Sequence, residues 1–167
     1  MYDELTPVDI QKMQDEIEHR KLVLRPQLIE EVKTARGFGD LSENFEYKAA
    51  KREKNRNDSR IRYLERMIRT AKVITPSSAP GVVGLFDWVT VYFEDDGEEQ
   101  RIQLVTTLRE DSLNGYVSKE SPVGKALLGC RAGDRVLVQV NEHVQYYIVV
   151  RAVEKGEDNT ALAISSY

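Results

Sequence analysis

Apolar residues recur every three, four or seven positions in the first part of the chain, and this spacing predicts one face of an amphipathic α-helix. The stripe consists of Ile10, Met13, Ile17, Leu24, Leu28, Val32 and Ala35. Thr6 can cap the helix, and Pro7 suits its first position because the N–H that proline lacks has no intrahelical partner there. Pro26 lies within the stripe and would crowd the carbonyl of Leu22, so we expect a kink or a short break.

A second helix is predicted from about Ser42 to Val73. Its apolar positions are Phe45, Ala49, Ile61, Leu64, Ile68 and Ala71. Gly37 and Gly39 lie in the short segment between the two helices, where glycine permits a sharp reversal of the backbone. Two long amphipathic helices joined by so short a turn predict an antiparallel helical hairpin, of the coiled-coil type.

The periodicity changes from helical to alternating after a segment with two prolines and four small residues. Asp96-Gly97 and Asn114-Gly115 are turn signals between the alternating runs, and Ser121-Pro122 can begin a short helix. We therefore predict an α+β protein in which a small antiparallel β domain with one short helix follows the hairpin. The predicted boundaries are 1–75 for the hairpin, 76–81 for a linker, 82–154 for the β domain and 155–167 for a tail.

Composition excludes several classes of protein. The sequence contains no run of about 18 apolar residues, so it predicts no membrane span. The first residues also lack a secretory signal pattern, so we expect a cytoplasmic protein. The single cysteine, Cys130, excludes an internal disulfide and a cysteine-rich metal site. His19 and His143 lack the spacing of metal ligands, and no heptad pattern is long enough for a filament, so a monomer is expected.

Two carboxylates, Asp40 and Glu43, stand three residues apart between the predicted helices. One interpretation is structural, because Asp-x-x-Glu at the start of a helix can form a capping box. The other is that both side chains provide oxygen ligands for Mg²⁺. Magnesium prefers six oxygens, so two carboxylates could act only by completing a site in another macromolecule.

A basic cluster follows the acids, although the net charge of the whole chain is −4. Residues 48–62 contain seven basic side chains and two acidic ones. Four of the basic residues recur every four positions and so lie along one side of a helix: Lys48, Arg52, Arg56 and Arg60. A run of charged residues on a helix usually forms a solvent-exposed face. Acids beside a row of basic residues that can bind phosphates also suggest a metal-dependent site for nucleic acid. A general coiled-coil nucleic-acid binder is disfavoured by the acidic remainder of the chain.

Several motifs resemble those of the bacterial Gre transcript cleavage factors (the GreA/GreB family). They are GDLSENFEY at residues 39–47, Arg25-Pro26, SPVGKALLG at 121–129 and Gly133-Asp134. The match covers nearly the whole chain in the family's order. The resemblance implies that the C-terminal domain has an FKBP-like fold and docks at the rim of the polymerase secondary channel, with Ser121, Pro122 and Gly124 as docking residues. Prolyl isomerase activity does not follow from that fold.

The resemblance also implies a mechanism. The hairpin would enter the secondary channel of bacterial RNA polymerase and bring Asp40 and Glu43 to its active site. There the two acids would help to hold Mg²⁺ and position the attacking water, so that backtracked RNA is cut near its 3′ end. Such a protein is an accessory transcription elongation factor, not an enzyme in its own right. A regulator that occupies the channel without promoting cleavage is the alternative.

The chain departs from the family pattern at the turn. Phe45 replaces a small residue, and Gly37-Phe38 replaces a more polar pair. These changes alter the surface beside the two acids but leave the acids themselves in place.

Overall fold

The computed structural model describes residues 2–39 and 44–166. These residues form two compact units. The first contains Ile10–Ala71, and the second combines Asp3–Asp9 with the chain from Lys72 onward. The predicted turn residues Asp40, Leu41, Ser42 and Glu43 lie outside the described residues.

The first unit is a helical hairpin, as predicted. Helix α1 spans Pro7–His19, α2 spans Arg25–Arg36 and α3 spans Phe45–Thr70. A π-helical turn at Arg20–Leu24 joins α1 to α2, and Pro26 is the second residue of α2. Proline has no N–H to donate and its ring crowds the preceding turn, so the wider turn accommodates it without ending the helix. The predicted disturbance at Pro26 therefore takes the form of a π-helical turn, and the helix is not broken.

Polar pairs between the helices show that the hairpin is antiparallel. Lys21 pairs with Glu65 and Arg25 pairs with Asp58, so later residues of one arm meet earlier residues of the other. These pairs are partly exposed to solvent and contribute little stability. Burial of Ile61 and Leu64, both at most 2% exposed, contributes more.

The second unit is built on a five-stranded sheet in the spatial order β5-β4-β3-β7-β6. The strands are β3 Trp88–Phe93, β4 Glu98–Val105, β5 Tyr116–Ser118, β6 Arg135–Gln139 and β7 Gln145–Glu154. Neighbouring strands are antiparallel except for the parallel pair β4–β5. The predicted turn at Asp96-Gly97 is confirmed, because β3 and β4 pair antiparallel on either side of it.

A short helix, α4 (Pro122–Leu127), packs its Leu127 into the core beside the sheet. The core consists mainly of alternating strand residues, including Val89, Val91, Ile148 and Val150. Alternation places every second side chain on the same face of a strand, which explains why the sequence pattern identified these positions.

Both ends of the chain extend this unit beyond the predicted 82–154. Near the N-terminus, β1 (Glu4–Leu5) pairs in parallel with β2 (Lys72–Val73), which follows the hairpin. Near the C-terminus, residues 155–166 do not form a free tail. Lys155 bonds to Asp87 at 2.6 Å, and the Ser165 amide donates to the Leu108 carbonyl. Neither attachment was predictable from local sequence patterns, because each joins residues far apart in the chain.

Across the described ranges, no helix combines the length and apolar character that crossing a membrane requires.

Candidate functional site

The turn of the hairpin is the candidate site, because the sequence places Asp40 and Glu43 there. Both acids lie outside the described residues, so their predicted roles remain predictions. The structure does describe the residues on either side. Gly39 has a φ of +127°, a conformation that non-glycine residues rarely adopt. The predicted use of glycine for the reversal therefore holds at Gly39.

Asn44 fixes the base of the turn with both ends of its side-chain amide. Its Oδ1 accepts a hydrogen bond from the Tyr47 amide at 3.0 Å, and its Nδ2 donates to the Ala35 carbonyl at 2.6 Å. The first bond caps α3, and the second joins the start of α3 to the last turn of α2. The predicted helix start at Ser42 is therefore too early.

The position of this cap bears on the two interpretations of the acids. The N-cap of α3 is Asn44, which has an extended backbone and accepts the capping hydrogen bond. Asp40 and Glu43 both precede the cap in sequence. The cap of α3 is therefore Asn44, and both interpretations of the two acids stay predictions.

An aromatic and cationic cluster stands beside the cap. The Arg36 guanidinium lies 5.6 Å from the ring centroid of Tyr47, and the Lys51 ammonium lies 6.0 Å from the same ring. A hydrogen bond from Arg36 and the positive charge of Lys51 lower the pKa of the Tyr47 hydroxyl below its ordinary value. The cluster ties the last residue of α2 to the first turn of α3 and places two cations beside the Tyr47 ring.

Three members of the predicted basic row are exposed. Lys48, Arg52 and Arg56 all present their side chains to solvent, and Arg56 also pairs with Glu53 at 3.2 Å. Their four-residue spacing on α3 places them on one side of the helix. All three side chains are therefore accessible, and their predicted contact with phosphates stays a prediction.

Arg60 does not belong to the exposed row. Its side chain is only 5% exposed, and its Nε donates to Glu16 at 2.8 Å. Glu16 also accepts from Arg20, whose guanidinium donates to Asn57 at 2.9 Å. Burial opposes ionisation of Glu16, but hydrogen bonds from Arg60 and Arg20 outweigh it and lower the pKa of that carboxyl.

Helix geometry explains why the prediction for Arg60 was wrong. At 3.6 residues per turn, each four-residue step turns by about 40° beyond a full turn. Three such steps from Lys48 rotate the row by about 120°, which carries Arg60 into the interface with the other arm. Arg60 therefore stabilises the hairpin and is not a candidate contact for nucleic acid.

The predicted docking residues lie at the start of α4. Ser121 caps this helix by accepting from the Gly124 amide at 3.0 Å, and Pro122 occupies its first position. Ser121 and Pro122 also line a cleft of about 380 Å³, whose apolar walls include Val117, Val123 and Tyr146. The docking role of these two residues remains a prediction.

Gly124, by contrast, is buried. A Cβ at this position would lie 2.1 Å from the Ser118 carbonyl oxygen and 2.8 Å from the Lys119 Cα. The glycine thus allows α4 to approach the backbone that follows β5. The structure gives it a packing role that sequence reasoning missed.

Replacing Gly124 with alanine is expected to destabilise the protein by about 1–3 kcal/mol, because backbone atoms must shift to admit the methyl group. Urea unfolding measures this loss. Lys125→Ala, next to it on the exposed side of α4, is the matched control and should change stability by less than about 0.5 kcal/mol. Weakened polymerase binding by Gly124→Ala at unchanged stability would instead show a direct docking role.

No group of three or more His, Cys, Asp or Glu side chains that could hold a metal occurs within residues 2–39 and 44–166. The two acids of the turn provide oxygen ligands of the kind that Mg²⁺ prefers, but too few of them for its six positions.

Comparison with known proteins covers both units. The family model "Transcription elongation factor, N-terminal" matches residues 4–73, and "Transcription elongation factor, GreA/GreB, C-term" matches residues 77–155. A transcription elongation factor GreA of Geobacillus kaustophilus is 46% identical over 130 residues, which is 77% of this chain and 82% of that protein. The Staphylococcus carnosus GreA is 37% identical over 150 residues, which is 90% of this chain and 94% of that protein.

Among solved structures, the GreA factor homolog 1 of Thermus thermophilus is similar with a TM-score of 0.42 and 25% identity, over 93% of this chain and 100% of that one. The two family models together cover most of the sequence, and they meet close to the predicted linker. This chain belongs to the GreA/GreB family of transcription elongation factors.

Proposed function

We propose that the protein enters the secondary channel of bacterial RNA polymerase with its hairpin and stimulates cleavage of backtracked RNA near the 3′ end. The observation that carries this proposal is family membership across both units, combined with Asp40 and Glu43 at the turn of the matched hairpin. Helix α3 has 26 residues and is about 39 Å long. An arm of that length can carry the turn deep into a channel.

Asp40 and Glu43 are the residues that would hold Mg²⁺ together with ligands from the polymerase and the RNA. When bound, the ion would polarise the scissile phosphate and favour ionisation of the attacking water. The two carboxylates would orient that water and accept hydrogen bonds from it. Asn44 would position them, because it fixes the backbone directly after Glu43 to both arms of the hairpin.

The protein would act as an accessory factor to the polymerase. Two carboxylates cannot complete a magnesium site, so the reacting complex requires the polymerase active site as well. Lys48, Arg52 and Arg56 would attract the phosphates of the extruded RNA, because all three are exposed on the arm that carries the acids.

The proposal is tested by measuring release of short 3′ RNA fragments from stalled, backtracked polymerase complexes. The protein is expected to accelerate release in proportion to the fraction of polymerase that it occupies. Binding to the polymerase without faster release would identify a regulator that occupies the channel but does not promote cleavage.

Reversing Arg52 and Arg56 to glutamate is expected to slow cleavage of complexes backtracked by many nucleotides more than those backtracked by two or three. A longer extruded segment brings more phosphates to the exposed row, so the double variant loses more. The loss should shrink as salt rises, because counterions screen the contacts. The measurement is cleavage rate against backtrack length at two salt concentrations.

The matched control reverses Arg62 and Arg66, which are exposed on the same helix about 15 Å further from the turn. This control makes the same change in net charge and should preserve the dependence on backtrack length. Equal losses at every length for Arg52→Glu/Arg56→Glu would show that the row is ordinary surface charge.

A further inference from the structure

Phe45 is the most exposed large apolar side chain among the described residues of the hairpin. It is 81% exposed although it is the first residue of α3 and lies in a well-defined helix. The apolar stripe predicted for this helix included Phe45 and Ala49, but both are exposed. The buried residues of α3 begin only at Asn57, so burial in the hairpin does not explain the aromatic ring.

The ring shares a side of α3 with the exposed cations. Angles around the helix axis can be measured from the position of Lys48. On this scale Arg52 lies at about 40°, Phe45 at about 60° and Arg56 at about 80°, so Phe45 lies between the two arginines. The Lys48 ammonium lies 5.8 Å from the ring centroid. The exposed side of the helix therefore begins with an aromatic surface and continues with three cations over about 16 Å.

This combination of groups favours single-stranded nucleic acid. Proteins that bind single strands combine a positive surface along the backbone with aromatic rings on which bases stack. A protein partner would use the exposed ring equally well, but it would not account for three unburied cations on the same side of the helix.

The position of Phe45 also fits the reaction. Glu43 is two residues earlier in the sequence, so only Asn44 separates it from Phe45. A base that stacks on Phe45 would therefore belong to a nucleotide beside the phosphate that the acids address.

We propose that Phe45 is a positioning residue that stacks on one unpaired base of the backtracked RNA, while Lys48, Arg52 and Arg56 bind its phosphates. This inference rests on the proposed function for the presence of RNA at the turn. Every base has a flat π-surface, so the contact tolerates any of the four bases and fixes the register of the strand instead of reading its sequence.

The test pairs changes in the protein with changes in the RNA. Phe45→Leu keeps an apolar side chain but removes the ring, and Phe45→Tyr keeps the ring. Phe38→Leu is the matched control, because Phe38 is also exposed near the turn, at 66%, but lines a groove with Ala35, Glu46 and Ala50 on another side of α3. Each protein is assayed on complexes in which one base of the extruded RNA at a time is replaced by an abasic site.

With intact RNA and subsaturating protein, Phe45→Leu is expected to cleave about tenfold more slowly than wild type, which is the scale of one base-stacking contact. Phe45→Tyr and Phe38→Leu should stay within about twofold of wild type. With an abasic site at one particular position of the RNA, wild type and Phe45→Leu should cleave at equal rates. With the abasic site at other positions, the difference in cleavage rate should persist. A tenfold difference that persists at every abasic position would overturn the inference and indicate contact with the polymerase protein. Equal rates on intact RNA would also overturn it.

A second readout does not depend on cleavage. 2-Aminopurine, a fluorescent base quenched by stacking, is placed in RNA whose scissile linkage is chemically blocked. Wild type and Phe45→Tyr are expected to quench it at the position found with abasic RNA, and Phe45→Leu is not. Quenching that depends on Phe45, without any stimulated cleavage of ordinary RNA, would refute the proposed function and leave this inference standing. Stimulated cleavage without such quenching would refute only the inference.

Discussion

Replacing Asp40 with asparagine, or Glu43 with glutamine, is expected to reduce stimulated RNA cleavage by at least about 100-fold while polymerase binding is retained. The scale follows from metal sites, where loss of a residue that merely supports a ligand already costs about 10- to 100-fold. Each amide keeps the size of the acid but lacks its negative charge. Binding should survive because the predicted docking surface lies in the other unit. The measurements are the rate of RNA release and the fraction of polymerase bound.

Asn44 provides the control for geometry. Asn44→Asp keeps a good capping residue, whereas Asn44→Ala removes both the cap and the hydrogen bond to Ala35. The alanine variant should lose about 1 kcal/mol of hairpin stability. Asparagine caps a helix as well as aspartate does, so nearly full activity in Asp40→Asn would mean that Asp40 acts only on the backbone and would exclude the metal role.

Replacing Arg109 with methionine is expected to destabilise the protein by about 3–5 kcal/mol, the usual cost of removing one partner from a buried ion pair. The Arg109 side chain is fully buried. Its Nε donates to Asp9 at 2.7 Å, and its Nη2 donates to Asp158 at 2.6 Å. Burial opposes the charge of Arg109, but hydrogen bonds with Asp158 and Asp9 outweigh it and raise the pKa of the guanidinium. Methionine would leave two carboxylates without their cation.

Urea unfolding measures this loss, and Arg151→Met is the matched control. Arg151 is exposed and lies 4.6 Å from the ring centroid of Tyr92, so it also contacts an aromatic ring but holds no buried charge. Its replacement should cost less than about 1 kcal/mol. A similarly small loss for Arg109→Met would show that the network is not a significant source of stability.

Local patterns in the sequence predicted most of the helices and strands. The apolar spacing of three and four residues marked both arms of the hairpin, and Pro26 marked the π-helical turn between α1 and α2. Alternation marked the strands, and Asp96-Gly97 marked the turn between β3 and β4. These predictions succeeded because each depends on residues within one element or one turn.

Interactions between distant residues were not predictable in this way. Arg109 meets Asp9 across 100 positions of sequence and Asp158 across 49. No periodicity relates these residues, so residues 155–167 were predicted to be a tail and the N-terminal residues were assigned only to the hairpin. The predictions for Arg60 and Phe45 were wrong for a related reason. The burial of these two side chains depends on which part of α3 faces the other arm.

The candidate site was predictable in its residue types but not in its supporting contacts. Two acids beside a basic row suggested metal and phosphate chemistry, and motif resemblance identified the family. The two hydrogen bonds of the Asn44 side chain were not predictable from the sequence, because one of them reaches back nine residues to the last turn of α2. Any of several polar residues near the turn could have capped α3.

The most direct test of the account compares wild type with Asp40→Asn on one backtracked complex, with each protein added at the concentration that gives equal polymerase occupancy. The measured quantity is the rate at which a labelled 3′ RNA fragment is released in the presence of Mg²⁺. Rapid release is expected with wild type, and release at least about 100-fold slower is expected with Asp40→Asn. Equal rates for the two proteins at equal occupancy would contradict it.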